Sequence, residues 1–200
     1  MMAPLRDRLN ARFGTWRGLV RLLLAHAERI AGRLRPFALH DPQAVRRVVF
    51  VCLGNICRSA YAEQVARAEG LNTASLGLST TTGVGSPEPA LAAAARQRMP
   101  MQAHRARDWK DFTVQPGDLL LVMEVRQAHE LARRLGGRSD VQVALLGNWC
   151  SPPSPHLHDP FTLSDAYFDT CFTRVRQAVG RLAKDVPNAR AATAQKRGQR

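Results

Sequence analysis

Four short apolar runs, at 48–53, 73–78, 118–123 and 141–146, are spread through the middle of the chain, with segments of helical composition between and after them. Strands that alternate with helices cannot pair as tight hairpins, so they pair in parallel through helical crossovers. The expected fold is therefore α/β: a four-stranded parallel sheet flanked by helices on both faces. The helical segments are 59–69, closed by Gly70; the alanine-rich 89–99; a stretch reaching 135 and ended by Gly136-Gly137; and a last helix from about Ser164. In that last segment Phe168, Phe172, Val175, Val179 and Leu182 recur on one face, which suits packing on the sheet. Sheets of this kind bind ligands at the carboxyl ends of their strands.

The first run ends as VVFVCLGNICRS, residues 48–59, placing two thiols and an arginine at such an end. A metal site, a redox pair, a nucleophile and a plain core segment are all compatible with two cysteines in isolation. The joint pattern is narrower. Cys52 and Arg58 bracket Leu53, Gly54, Asn55, Ile56 and Cys57. A loop of this length between strand and helix can turn its backbone N–H groups inward, and at a helix N-terminus such a nest cradles an anion. Gly54 and Asn55 suit the unusual backbone angles that this requires. Arg58 can offer two parallel N–H groups to a phosphate. Cys52 lies at the base of the cup, where the same dipoles favour a thiolate and the Ser59 hydroxyl can donate to the sulfur. A thiolate beneath a bound phosphate is placed for in-line attack, and the arrangement needs no metal and no cofactor.

CLGNICRS resembles the phosphate-binding loop of the low-molecular-weight protein tyrosine phosphatases. The downstream YAEQ, Ser75-Leu76-Gly77, DLLLVME, LLGNW and late DPF follow in that family's order, so the resemblance covers roughly residues 46–183. It implies phosphotyrosine hydrolysis through a cysteinyl-phosphate, with Cys52 as nucleophile and Arg58, Ser59 and loop residues 53–57 holding the phosphate. Release of the tyrosyl oxygen needs a general acid, and Asp159, in His158-Asp159-Pro160-Phe161, stands where the family carries it. The pocket is expected from Leu53, Ile56 and Phe161. Ile56 resembles tyrosine-directed members, whereas relatives acting on phosphoarginine carry threonine there. The resemblance also suggests that Cys57 traps oxidised Cys52 as a reversible disulfide. It implies a phosphotyrosyl protein as partner, of the kind represented by a bacterial tyrosine kinase governing polysaccharide export. Two positions depart from the pattern: Ala60 replaces a common proline, and Glu124 stands where aspartate is usual.

Two other functions fit the same loop. Arsenate reductases share it but relay electrons through closely spaced cysteines, which Cys150 and Cys171 match poorly. A non-catalytic phosphate-binding module is the other, and the full set of Cys52, Arg58 and Asp159 argues against it. His156 and His158 could ligate a metal with Cys150, but without a fourth ligand they read as solvated loop histidines.

The net charge of +13 comes almost wholly from arginine, yet no aromatic-interleaved basic stripe crosses the middle of the chain, so no nucleic acid is expected. Four cysteines without CxxC spacing, and no secretory signal, point to free thiols and a cytoplasmic setting. Residues 1–45 stand apart as a basic helical extension to a phosphatase domain at 46–184. Within it, Leu9, Phe13, Trp16, Val20, Leu23, Ala27, Ile30 and Leu34 mark one apolar helix face, and eight arginines fill much of the remainder. Such a helix can pack on the domain, lie on an anionic membrane or dock a partner. Residues 185–200 are polar, basic and aperiodic, and are expected to be disordered.

Overall fold

The computed structural model describes residues 5–191. Its centre is a four-stranded parallel sheet in the order β2-β1-β3-β4, built from β1 (Arg47–Cys52), β2 (Thr73–Gly77), β3 (Asp118–Val122) and β4 (Gln142–Leu145). The expected fold is the observed one. Six helices accompany it among the described residues: α1 (Leu5–Phe13), α2 (Trp16–Ile30), α3 (Arg58–Ala68), α4 (Glu88–Arg96), α5 (Val125–Leu135) and α6 (Asp165–Asp185).

The sheet is buried on both faces, which explains why β1 and β3 read as unbroken apolar runs. Alternation of side chains divides them between two cores. Val48, Phe50, Cys52, Leu119 and Leu121 pack with α3, α4 and α6, while Val49, Val51, Leu120 and Val122 pack with α5. At the opposite end from the quoted loop, Arg47 closes a two-pronged ion pair on the buried Asp118 carboxylate, with Nε–Oδ1 at 2.7 Å and Nη2–Oδ2 at 2.6 Å. This fixes the β1/β3 register at its start. After β2 the chain crosses to the far side of β1, so the topological switch point falls between the carboxyl ends of β1 and β3. Cys52 ends β1, and Glu124 lies just beyond β3.

Two sequence expectations change. The N-terminal extension is helical, but it breaks at Gly14 and Thr15 into two helices, with the Thr15 hydroxyl capping α2 by accepting from Gly18 N. Of the roles left open for its apolar face, packing on the domain is not the one adopted along α2. α2 seats on the domain through Gly18 and Ala25, whereas Trp16, Val20, Leu23 and Ile30 are exposed. Small residues allow close backbone approach, and Leu34 and Phe37, just past the helix, supply the apolar anchorage in the α5-side core. The tail expected to be disordered begins in order: Val186 and Ala189 are buried, Asn72 N donates to Ala189 O at 2.9 Å, and Ala191 N donates to Gly70 O at 3.0 Å. Residues 192–200 of that expectation lie outside the described residues.

Candidate active site

Residues 53–57 form a tight loop that delivers the chain from β1 into α3. Asn55 supplies the left-handed turn with φ of 52°. Its side chain and backbone then tie the loop down on every side. Asn55 Nδ2 donates to Ser59 Oγ at 2.9 Å and to Ser75 Oγ at 2.8 Å, its Oδ1 accepts from Arg107 N at 2.9 Å, and its carbonyl accepts from His104 Nε2 at 2.7 Å. Because a carbonyl only accepts, His104 carries its proton on Nε2. Ser75 in turn donates to Glu63 Oε2.

These directions converge on Cys52. Ser59 Oγ accepts from Asn55, which leaves its own hydrogen for Cys52 Sγ at 3.0 Å. Asn55 N also donates to that sulfur, at 3.2 Å. The sulfur of Cys52 therefore faces two donors. Cys57 differs: burial pushes its thiol far above the usual range, with Asp159 and Cys52 adding to the effect. It is held as a neutral thiol. No side chain caps the N-terminus of α3, so its first N–H groups are left for an anion. The approach of β2 to this loop depends on Gly77, where a Cβ would stand 2.8 Å from Leu53 O and 3.1 Å from Gly54 C.

Arg58 is fully buried, and its guanidinium is fixed from three sides. Nη1 donates to Glu124 Oε1 at 2.7 Å and to Leu157 O at 2.9 Å, and Nη2 meets Asp159 Oδ2 at 2.7 Å. Nε has no partner among the described residues. Burial opposes the charge, but Asp159 and Glu124 outweigh it and hold the guanidinium more firmly protonated than usual. Glu124 is buried as well. Burial would raise its carboxyl, yet Arg58 and then Arg126 pull it down to about 2. Gln127 completes the support by donating to Glu124 at 3.3 Å and accepting from Met123 N at 3.0 Å.

Asp159 is one-third exposed, and Phe161 and Leu53 are about half exposed. Ile56, three residues after Leu53, is partly buried. Cys52, Arg58, Ser59 and loop residues 53–57 thus belong to one cradle, with Asp159 joined to it through Arg58. His156 and His158 are not solvated loop histidines. His156 is buried, because Leu157 N donates to Met123 O and pulls this segment against the end of β3. Burial lowers both imidazoles, His156 to about 4. No cluster of three potential metal ligands forms among the described residues. Cys150 and Cys171 are buried, and burial raises their thiols to about 11 and about 12.

The sequence reading did not single out Glu63, His104 or Arg107 as supports. Nothing local marks them: His104 and Arg107 reach Asn55 from a distant loop, and Glu63 on α3 reaches it only through Ser75. Glu124 was noticed as a departure from a pattern, and its role as the buried partner of Arg58 emerges from the fold.

Residues 47–192 match the family model described as low molecular weight phosphotyrosine protein phosphatase. Among curated proteins, the low molecular weight protein-tyrosine-phosphatase Wzb of Escherichia coli K12 is 31% identical over 128 residues, covering 60% of this chain and 84% of that one. Among solved structures, the tyrosine phosphatase Wzb of Escherichia coli K30 in complex with sulphate is similar with a TM-score of 0.60 and 26% identity, covering 70% of this chain and 97% of that one. The YwlE arginine phosphatase of Geobacillus stearothermophilus has a TM-score of 0.61 at 20% identity, covering 76% and 96% of the two chains, and is a likeness of fold.

Proposed function

Because this chain belongs to the low molecular weight phosphotyrosine protein phosphatase family, we propose that it hydrolyses phosphotyrosine in a protein substrate through a cysteinyl-phosphate, with Cys52 as nucleophile and Asp159 as general acid and base. The observation that carries this reading is the position of Arg58, held at one end of an anion cradle whose base is Cys52 and ion-paired to Asp159 at 2.7 Å. One buried cation thereby ties the nucleophile's loop to the acid.

The chemistry follows from those neighbours. The Cys52 thiolate attacks phosphorus, forming the S–P bond as the P–O bond to the tyrosyl oxygen breaks. Asp159 gives its proton to that oxygen, so a neutral phenol leaves. The carboxylate then takes a proton from water, whose oxygen attacks phosphorus as the S–P bond breaks, returning the thiolate and free phosphate. Through both steps the equatorial oxygens face the α3 N–H groups and the unpartnered Nε edge of Arg58. Ser59 and Asn55 N stabilise the sulfur when it leaves.

Leu53, next to Cys52, and Phe161, two residues after Asp159, are both exposed, and their apolar side chains suit the faces of a phenyl ring. Ile56, apolar where phosphoarginine-directed relatives carry threonine, favours the tyrosyl ester over a phosphoguanidinium. The buried, neutral Cys150 and Cys171 fit poorly as an electron relay for arsenate. A phosphotyrosyl peptide and a phosphoarginyl peptide, each offered without added metal, test the assignment. Turnover of the first that is lost in Cys52→Ser supports it. Preference for phosphoarginine would overturn the substrate, and no turnover of either would leave only a binding module.

A further inference from the structure

Of the nine large apolar side chains exposed among the described residues, Leu53 and Phe161 belong to the site above and Val84 stands alone. The other six lie on α1 and α2, which precede the matched family region. Five of them form a pattern. At about 100° per residue, Trp16, Val20, Leu23, Leu24 and Ile30, with Ala27 between, occupy a stripe about 120° wide along α2. Ile30 is 88% exposed, Trp16 63%, Leu23 59% and Leu24 58%. The opposite face of the same helix, at Gly18 and Ala25, is already used against the domain. The stripe therefore faces away from the protein that carries it.

We propose that this face of α2 lies on an anionic lipid surface, with the stripe in the acyl boundary and the surrounding arginines at the headgroups. Charge decides the occupant. Residues 5–35 hold eight arginines against Asp7 and Glu28. Arg17 and Arg21, both exposed, border the stripe on the side of Leu24, with Glu28 as the one acidic residue on that border. A second copy would bring the same arginines face to face, which costs stability, whereas phosphate headgroups complement them. Trp16 has its ring under the Arg17 guanidinium at 5.6 Å, an aromatic and a cation paired at one end of the stripe. No helix among the described residues is long and apolar enough to cross a membrane, so α2 would lie along the surface. Trp16 and Thr162 line one cleft, and Thr162 follows Phe161, so the stripe begins beside the acid loop. A protein docked this way works on phosphate esters close to the bilayer.

Flotation of the full chain with vesicles tests the proposal independently of catalysis. Phosphatidylglycerol-containing vesicles should bind it about tenfold more tightly than phosphatidylcholine vesicles, and high salt should weaken the binding. The double variant Leu23→Glu/Ile30→Glu should lose about tenfold on the anionic vesicles. Its turnover of a soluble aryl phosphate should be unchanged, which shows that the fold is intact. Absence of vesicle binding would overturn the proposal, as would binding indifferent to lipid charge or to the double substitution. Self-association of the wild type that the double variant abolishes, without vesicle binding, would assign the stripe to a second copy instead.

Discussion

Arg58 Nη2 and Asp159 Oδ2 stand 2.7 Å apart, so the group that would bind the phosphate also holds the group that would protonate the leaving oxygen. Replacing Asp159 by Asn keeps the size and a hydrogen-bonding edge but removes the transferable proton. Turnover of phenyl phosphate should fall by about 10²–10⁴-fold. p-Nitrophenyl phosphate, whose leaving group needs little protonation, should lose much less. Equal losses on both substrates would mean that Asp159 acts in some other step.

Glu124 is the second carboxylate on the same guanidinium, and it is buried. Its carboxyl is held at about 2, below the ordinary 4.5, so it contributes stability that is complete above pH 4.5 and is lost as pH falls towards 2. Glu124→Gln leaves Arg58 buried with less counter-charge, and should lower stability by roughly 3–5 kcal/mol in denaturant titrations at neutral pH. The variant should also show a flatter acid limb between those two pH values. An unchanged limb would remove Glu124 from the acid response.

The sheet, its strand limits to within a residue or two, and the cradle were legible because local rules suffice: apolar runs between helices, and a strand-loop-helix whose residues share one task. Long-range supports were not. Asn55 is held by Ser75 on β2 and by His104 and Arg107 in the loop after α4, and no local pattern announces such a meeting. The extension was legible only in part. Its period of three to four was read correctly as helical, but periodicity marks an apolar face without saying what covers it. Gly18 and Ala25 reach the domain because they are small, and hydrophobicity alone does not rank them. The histidines near Asp159 read as solvated because no fourth metal ligand accompanies them, yet the bond from Leu157 N to Met123 O draws His156 inside.

Ser59 offers the only side-chain hydroxyl directed at Cys52 Sγ among the described residues, at 3.0 Å. Ser59→Ala should reduce turnover by about 10- to 100-fold, the worth of one hydrogen bond to a charged group. Inorganic phosphate should still bind, since the α3 N–H groups and Arg58 remain. Retained turnover would show that Asn55 N alone suffices for the sulfur.

His156 predicts a second pH effect, at milder acidity. Its imidazole is lowered from 6.5 to about 4 by burial. Above pH 6.5 it is neutral in both folded and unfolded chains. Below that, the unfolded chain takes up the proton first, so stability falls between pH 6.5 and 4, by roughly 3 kcal/mol in all. His156→Gln should remove its share of this loss, while the part from the likewise lowered His158 imidazole and the deeper one from Glu124 remain. Urea titrations at pH 7, 5.5 and 4.5 would reveal it, and a wild type equally stable at all three would refute the assignment.

The extension also touches the acid loop directly. Thr15 Oγ1 contacts His158 Nε2 at 3.2 Å, and the His158 carbonyl accepts from Tyr167 Oη at 3.2 Å, so the residue before Asp159 is clamped at both ring and backbone. Gly14 packs against the same ring. It has φ of +79°, and a Cβ there would stand 2.7 Å from His158 Cδ2 and 2.8 Å from Tyr167 Cε1. Gly14→Ala therefore combines backbone strain with a clash that displaces the His158, Tyr167 or Leu163 side chain, a cost of about 1–3 kcal/mol. Thr15→Val is the gentler probe, removing the hydroxyl and its cap on Gly18 N for about 1 kcal/mol. If the clamp positions Asp159, both variants should slow phenyl phosphate hydrolysis more than that of p-nitrophenyl phosphate, with KM little changed. Equal slowing on both substrates would reduce the contact to simple support of the fold.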